Sequence, residues 1–151
     1  MKFRQVLGAT AGFMLLGGTI ITAMAAPATP EEATNLTVVK EYLVALTARP
    51  FDTDKVVTYF APTASERYDD AQPAVIGPDK LAAVFKNYMT GGKALKVDVQ
   101  QTIVRGPIVV VSRTDTVLDP GKPDQSFPVV GVFKLKDGKI VEWTDYVATA
   151  R

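Results

Sequence analysis

The chain has 151 residues, 47% of them hydrophobic and 22% charged, which suits one globular domain with an ordinary core and excludes a disordered or fibrous protein. Its 17 basic and 16 acidic residues give a formal charge of +1, without the basic excess that nucleic-acid binding requires. Cysteine and histidine are both absent, so thiolate catalysis, disulfides, Cys-ligated zinc, serine–histidine triads and imidazole acid–base work are excluded, leaving carboxylates, Tyr, Lys and Arg as the chemical inventory.

Lys2 and Arg4 precede an uncharged run from Val6 through Phe13-Met14-Leu15-Leu16 and Ile20-Ile21, closed by Ala23-Met24-Ala25. This is the pattern of a secretory leader cleaved after Ala25. The alternative is an uncleaved anchor, for which about 20 apolar residues suffice, but Gly8, Gly12, Gly17, Gly18 and three threonines dilute the run. The expected organisation is a signal peptide over 1–25 and one domain over 26–151, exported to the periplasm or secreted, with no stable membrane anchor after cleavage. Losing Lys2 and Arg4 leaves 15 basic against 16 acidic groups, a net charge of −1. No Cys follows the cleavage site, which excludes a lipoprotein.

Thr29-Pro30-Glu31-Glu32 is a capping box with Pro in the first turn, and Leu36, Val39, Leu43 and Leu46 follow at helical spacing, predicting a helix to about Ala48. Pro50 stops it. Residues 52–60 read as a short second helix burying Val56, Val57, Tyr59 and Phe60, ended by Ala61-Pro62. Residues 63–76 are polar and contain Pro73, and are expected to form a short strand and loop from which Tyr68, Asp69 and Asp70 reach a cavity. Gly77-Pro78-Asp79 opens a third helix through Leu81, Val84, Phe85 and Tyr88, closed by Gly91-Gly92.

From there the pattern is strand only. Residues 95–104, 108–118, 127–136 and 139–147 alternate, separated by Arg105-Gly106-Pro107, a Pro- and Gly-containing turn over 119–124, and the hairpin signal Asp137-Gly138. Three helices followed by a four-stranded antiparallel meander predict an α+β fold, the helices packed on a curved, mostly antiparallel sheet around a conical cavity, an α+β barrel. Parity within the strands then isolates the chemistry. Val109, Val111, Arg113, Asp115 and Val117 share one face, as do Val141, Trp143, Asp145 and Val147. Charges among apolar neighbours are costly unless paired, so Arg113, Asp115 and Asp145 are expected to be one another's partners in one pocket. A buried salt-bridge network that merely closes the cavity would meet the same requirement.

The hairpin 131–140, followed by Trp143-Thr144-Asp145-Tyr146, resembles the closing hairpin of the cone-shaped nuclear-transport-factor-like superfamily. Arg113-x-Asp115 combined with Trp143-x-Asp145-Tyr146 is similar to the limonene-1,2-epoxide hydrolase family and its neighbours, the SnoaL-like polyketide cyclases. That resemblance implies a cofactor-independent and metal-free hydrolase adding water to an epoxide of a small apolar molecule. Asp145 would be the base toward water, Asp115 the acid toward the ring oxygen and Arg113 the bridge, with catalysis thus resting on Asp115, Arg113 and Asp145. The family holds its water with a Tyr-x-Asn pair, matched here by Tyr68-Asp69-Asp70 with a carboxylate replacing the amide, and Trp143 is expected to wall the pocket. A homodimer is the implied assembly. Two other readings stay open: an isomerase or cyclase of the ketosteroid isomerase or SnoaL kind, and a noncatalytic binder of small hydrophobic ligands or dimerisation module.

Overall fold

The computed structural model describes residues 29–148; the expected leader and residues 149–151 lie outside the described residues. Helix α1 (Pro30–Leu46) starts with the capping box read from the sequence: the Thr29 hydroxyl accepts from the Glu32 amide at 3.1 Å, and the Glu32 carboxylate accepts from the Thr29 amide at 3.0 Å. Glu32 also reaches across the fold, accepting from the Gly106 amide at 2.8 Å, while Asn35 donates to the Gly106 carbonyl at 3.0 Å. The helix start therefore pins a distant turn as well as its own first amides. Replacing Thr29 by Ala is expected to cost about 1 kcal/mol, a fall of roughly 4 °C in Tm by calorimetry.

Helix α2 (Thr53–Val57) is capped by Asp52, which accepts from the Lys55 amide at 3.0 Å, and it stops earlier than its apolar pattern suggests. The Tyr59 carbonyl accepts from Ile140 at 2.9 Å, and Phe60 already belongs to strand β1 (Phe60–Arg67). Pairing with a strand far along the chain thus overrides local helical spacing. Strand β2 (Val75–Ile76) and helix α3 (Pro78–Tyr88) follow, then β3 (Ala94–Arg105), β4 (Ile108–Leu118), β5 (Gln125–Lys136) and β6 (Lys139–Val147). The β5–β6 turn puts Asp137 at φ 50° and Gly138 at φ 71°, the left-handed pair that a two-residue hairpin needs.

The expected meander is present as β3-β4-β5-β6, but it is part of a six-stranded mixed sheet in the order β2-β1-β6-β5-β4-β3. β1 lies parallel to β6 and antiparallel to β2. The α+β class holds; the sheet curves around the cavity without closing, so it is an open sheet rather than a barrel. α1 packs on β3 and β4, α3 on β1 and β2, and α2 joins the two helices. The core between them contains Val39, Tyr42, Leu81, Phe133, Ile140 and Trp143. No helix among the described residues is long and apolar enough to cross a membrane.

One detail of the parity count is corrected. A register shift after Lys134 places Ile140 opposite Leu135 and buries it fully, while Val141 is only half-buried. The bulge inserts one residue, so the inward set of β6 is Ile140, Trp143, Asp145 and Val147, the last lining the cavity.

Candidate active site

Arg113 projects from the middle of β4 and is 1% exposed. Its Nε donates to Asp115 Oδ1 at 2.9 Å and to Oδ2 at 3.1 Å, and its Nη2 donates to Asp115 Oδ2 at 3.0 Å. The same Nη2 donates to Asp145 Oδ2 at 2.5 Å. One guanidinium therefore holds two carboxylates, brought from strands β4 and β6 on either side of β5. The second oxygen of Asp145 accepts from the Trp143 indole at 2.7 Å, so both oxygens are fixed. Trp143 is fixed in turn by stacking on Phe133, with ring centroids 5.5 Å apart, and by an edge contact with Tyr42 at 5.4 Å.

The site can be this tight because β5 passes between the two charged strands as a glycine. A Cβ built on Gly131 would run into Arg113 Nη1 and would lie 2.9 Å from Asp145 Oδ1. A glycine in the interior of a strand was the available sign of such a close approach. Gly131→Ala is expected to displace the guanidinium, costing about 1–3 kcal/mol of stability as overpacking does. A lower urea midpoint together with a fall in activity checks it.

These groups line a cavity of about 410 Å³, within the range of small-molecule sites, whose walls include Val84, Phe85, Phe127, Val129, Trp143 and Tyr68. Arg113, Asp115 and Asp145 are the charged side chains at its wall, with Asp69 also among the lining residues. A second depression of about 420 Å³, between the α1–α2 connection and the segment before β3, is lined by Arg49, Lys86 and Lys93 and by no acid, so it offers no acid–base pair. Among the described residues no cluster of metal-ligating side chains occurs.

Burial raises the proton affinity of Asp145, and the Arg113 charge and the Arg113 and Trp143 hydrogen bonds oppose that rise without cancelling it. For Arg113 burial works against the charge, but Asp145 and Asp115 outweigh it and hold the guanidinium protonated. Two carboxylates and one guanidinium carry a net charge of −1, so a single proton shared by the aspartates makes the buried group neutral. Burial and the like charge of Asp115 both favour a proton on Asp145.

Of the sequence-derived candidates, Arg113, Asp115, Asp145 and Trp143 are brought together and Tyr68 lines the cavity. Asp70 is not brought in: it is exposed in the turn after β1, and Asp69, which accepts from the Ala71 amide at 3.0 Å, stands at the cavity edge instead. The residue paired with Tyr68 on the inner side of β1 is Glu66, two positions earlier. Glu66 is fully buried, and neither of its carboxyl oxygens, nor the Tyr68 hydroxyl, has a hydrogen-bond partner. Burial pushes its carboxyl up to about 9; the nearby Tyr68 hydroxyl opposes the rise and Asp145 adds to it. Sequence reasoning missed Glu66 because residues 63–76, read as a short polar strand and loop, show no apolar alternation that would place it inward.

Helices on one face of a curved sheet, enclosing an apolar cavity with a bridged aspartate pair at its wall, define a cone-type α+β protein. The chain belongs to the SnoaL-like family, whose domain model matches residues 39–143. Its structure is similar to an LEH-like epoxide hydrolase from M. tuberculosis, at 26% identity and a TM-score of 0.70 over 79% of this chain and 86% of that one. It is also similar to the epoxide hydrolase/cyclase-like enzyme SalBIII of pyran ring formation in salinomycin, at 20% identity and a TM-score of 0.67 over 79% and 94% of the two chains. A protein assigned as a SnoaL-like polyketide cyclase from Shewanella denitrificans matches at 19% identity and a TM-score of 0.67, over 76% and 90%.

Proposed function

We propose that this protein is an exported, cofactor-independent hydrolase that adds water to an epoxide carried by a small apolar molecule. The observation that carries this reading is the single Arg113 guanidinium held between Asp115 and Asp145 at the wall of an apolar cavity. The 26% identical LEH-like epoxide hydrolase supports the same reaction class.

In its ionised form Asp145, whose proton affinity burial raises, takes a proton from water as the water oxygen attacks a ring carbon. The carbon–oxygen bond of the ring breaks, and its oxygen receives the proton of Asp115. The product is a vicinal diol and nothing is oxidised or reduced. The proton count of the aspartate pair is unchanged, since Asp145 has gained what Asp115 gave, and one transfer between them restores the starting state. Arg113 keeps both carboxylates in place and limits the negative charge throughout, while Trp143 fixes the free oxygen of Asp145.

The test is diol formation by the mature protein on a panel of terpene and cyclic epoxides, in ¹⁸O-labelled water, beside Asp115→Asn. Labelled diol from the parent protein and little from the variant supports the reading. Saturable quenching of Trp143 fluorescence by the same compounds with no diol would identify a noncatalytic binder instead. Sedimentation of the mature protein and the position of its N-terminus after expression in a secreting host test the expected homodimer and cleavage after Ala25.

A further inference from the structure

Among the described residues, Glu66 is the one fully buried acid that the proposed reaction does not use. It stands level with Trp143 across the parallel β1–β6 pair, and Tyr68, two residues on, follows at the end of its strand. Among the described residues neither carboxyl oxygen finds a hydrogen-bond donor, and no Lys or Arg pairs with it. The titratable groups around it are Asp145 from β6, Tyr68 beyond β1 and Tyr42 from α1. α3 and β2, the other elements packed on β1, contribute Leu81, Phe85 and Val75 to the interior and no charge. Arg113 is the only buried cation among the described residues, and both of its carboxylate contacts are made to Asp115 and Asp145. A carboxylate there would be a buried charge with no cation beside it, which favours the acid form.

We propose that Glu66 is a positioning residue for Asp145 that works only as an uncharged acid. With its proton in place, Asp145 faces Arg113 as the lone carboxylate at this end of the cavity and is free to take a proton from water. With the proton lost, a second buried negative charge repels Asp145 from the place that Arg113 and Trp143 set for it, and the base no longer meets its water. This role rests on the hydrolase reading above, in which Asp145 is the base. The direction in which burial moves the Glu66 carboxyl agrees with it, and its value of about 9 sets where the change should fall.

The experiment has two arms. Trp143 is the only tryptophan of the chain and is the register partner of Glu66, so its emission reports the charge on Glu66 without any substrate. In the parent protein the emission should change with a midpoint near pH 9, and in Glu66→Gln, which keeps the shape and cannot ionise, that transition should vanish. In the second arm, kcat/KM is followed against pH and scaled to each protein's own maximum. The parent should lose tenfold per pH unit above the midpoint, as one proton demands, and Glu66→Gln should lack that limb.

A flat emission titration in the parent, or an alkaline limb that persists in Glu66→Gln, overturns the proposal. Absence of turnover on every epoxide falls on the hydrolase reading, and the emission titration then still decides whether Glu66 keeps its proton. If Glu66→Gln does not fold, ¹³C-glutamate spectra of the parent replace it. One carboxyl titrating near pH 9 supports the proposal; all of them titrating in the ordinary acid range overturns it.

Discussion

Asp145→Asn is expected to lower kcat/KM for epoxide hydration by about 10²–10⁴-fold, the usual contribution of a positioned general base. The amide fills the same volume but cannot take the proton from water. It also leaves one oxygen for two donors, since Arg113 Nη2 and the Trp143 indole each occupy one oxygen of the carboxylate. An amide N–H must then face one of them, and a buried donor without an acceptor costs about 1–3 kcal/mol. Loss of rate and a moderate loss of stability should therefore come together, the first by far the larger at temperatures well below Tm. Single-turnover measurement at saturating substrate separates the lost chemical step from weakened binding. Diol formation at parental rates in both Asp145→Asn and Asp115→Asn would sink the acid–base assignment.

The second large effect concerns stability against pH. A free glutamate ionises near 4.5, while Glu66 in the folded protein holds its proton up to about 9. Between these values the unfolded chain has released a proton that the folded chain retains, so the unfolded state gains and stability falls as pH rises. The contribution of Glu66 is fully present below about pH 4.5, is lost steadily toward pH 9 and is constant beyond. At 1.36 kcal/mol per unit, the total is on the order of 6 kcal/mol, comparable with the whole stability of a domain this size. Asp145, also raised by burial, acts with the same sign. Glu32 and Asp119, whose carboxyls are lowered chiefly by the Gly106 amide and by the Lys122 ammonium, act with the opposite sign and only on the acid side. Urea unfolding at intervals from pH 5 to 9 should show a steep decline in the parent and a much flatter profile in Glu66→Gln, which should be the more stable protein at pH 8. Equal slopes in the two proteins would mean that Glu66 finds water or a cation in the folded state.

A buried acid that weakens the fold at neutral pH is not a packing device. Leu or Met would fill the space beside Trp143 without the penalty, as replacements of buried charges by apolar groups elsewhere show. A raised acid at a cavity wall, as Asp145 is, suits acid–base chemistry, and such sites are where a fold tolerates a loss of stability.

Much of the site was legible because it lies on strands whose period is local. Alternation along 108–118 and 139–147 placed Arg113, Asp115, Asp145 and Trp143 on inner faces, and burial of charge then required that they meet. Asp70 failed for a local reason too: it follows the end of β1, where alternation no longer constrains direction. Gly131 was on the correct face, but its meaning depends on what stands on both neighbouring strands.

By itself the sequence determined the capping box of α1, the hairpin at Asp137-Gly138, the α+β class and the inward direction of the three charged residues. Each follows from contacts between residues close in the chain or from the two-residue period of a strand. Only the tertiary structure decided the fate of β1. Its buried residues are Phe60, Ala64 and Glu66, with a register shift between Phe60 and Ser65, so it has no apolar alternation to read. It is a strand because β6, more than seventy residues later, offers it a parallel edge. That pairing, and nothing local, carries Glu66 into the core, where burial raises its proton affinity.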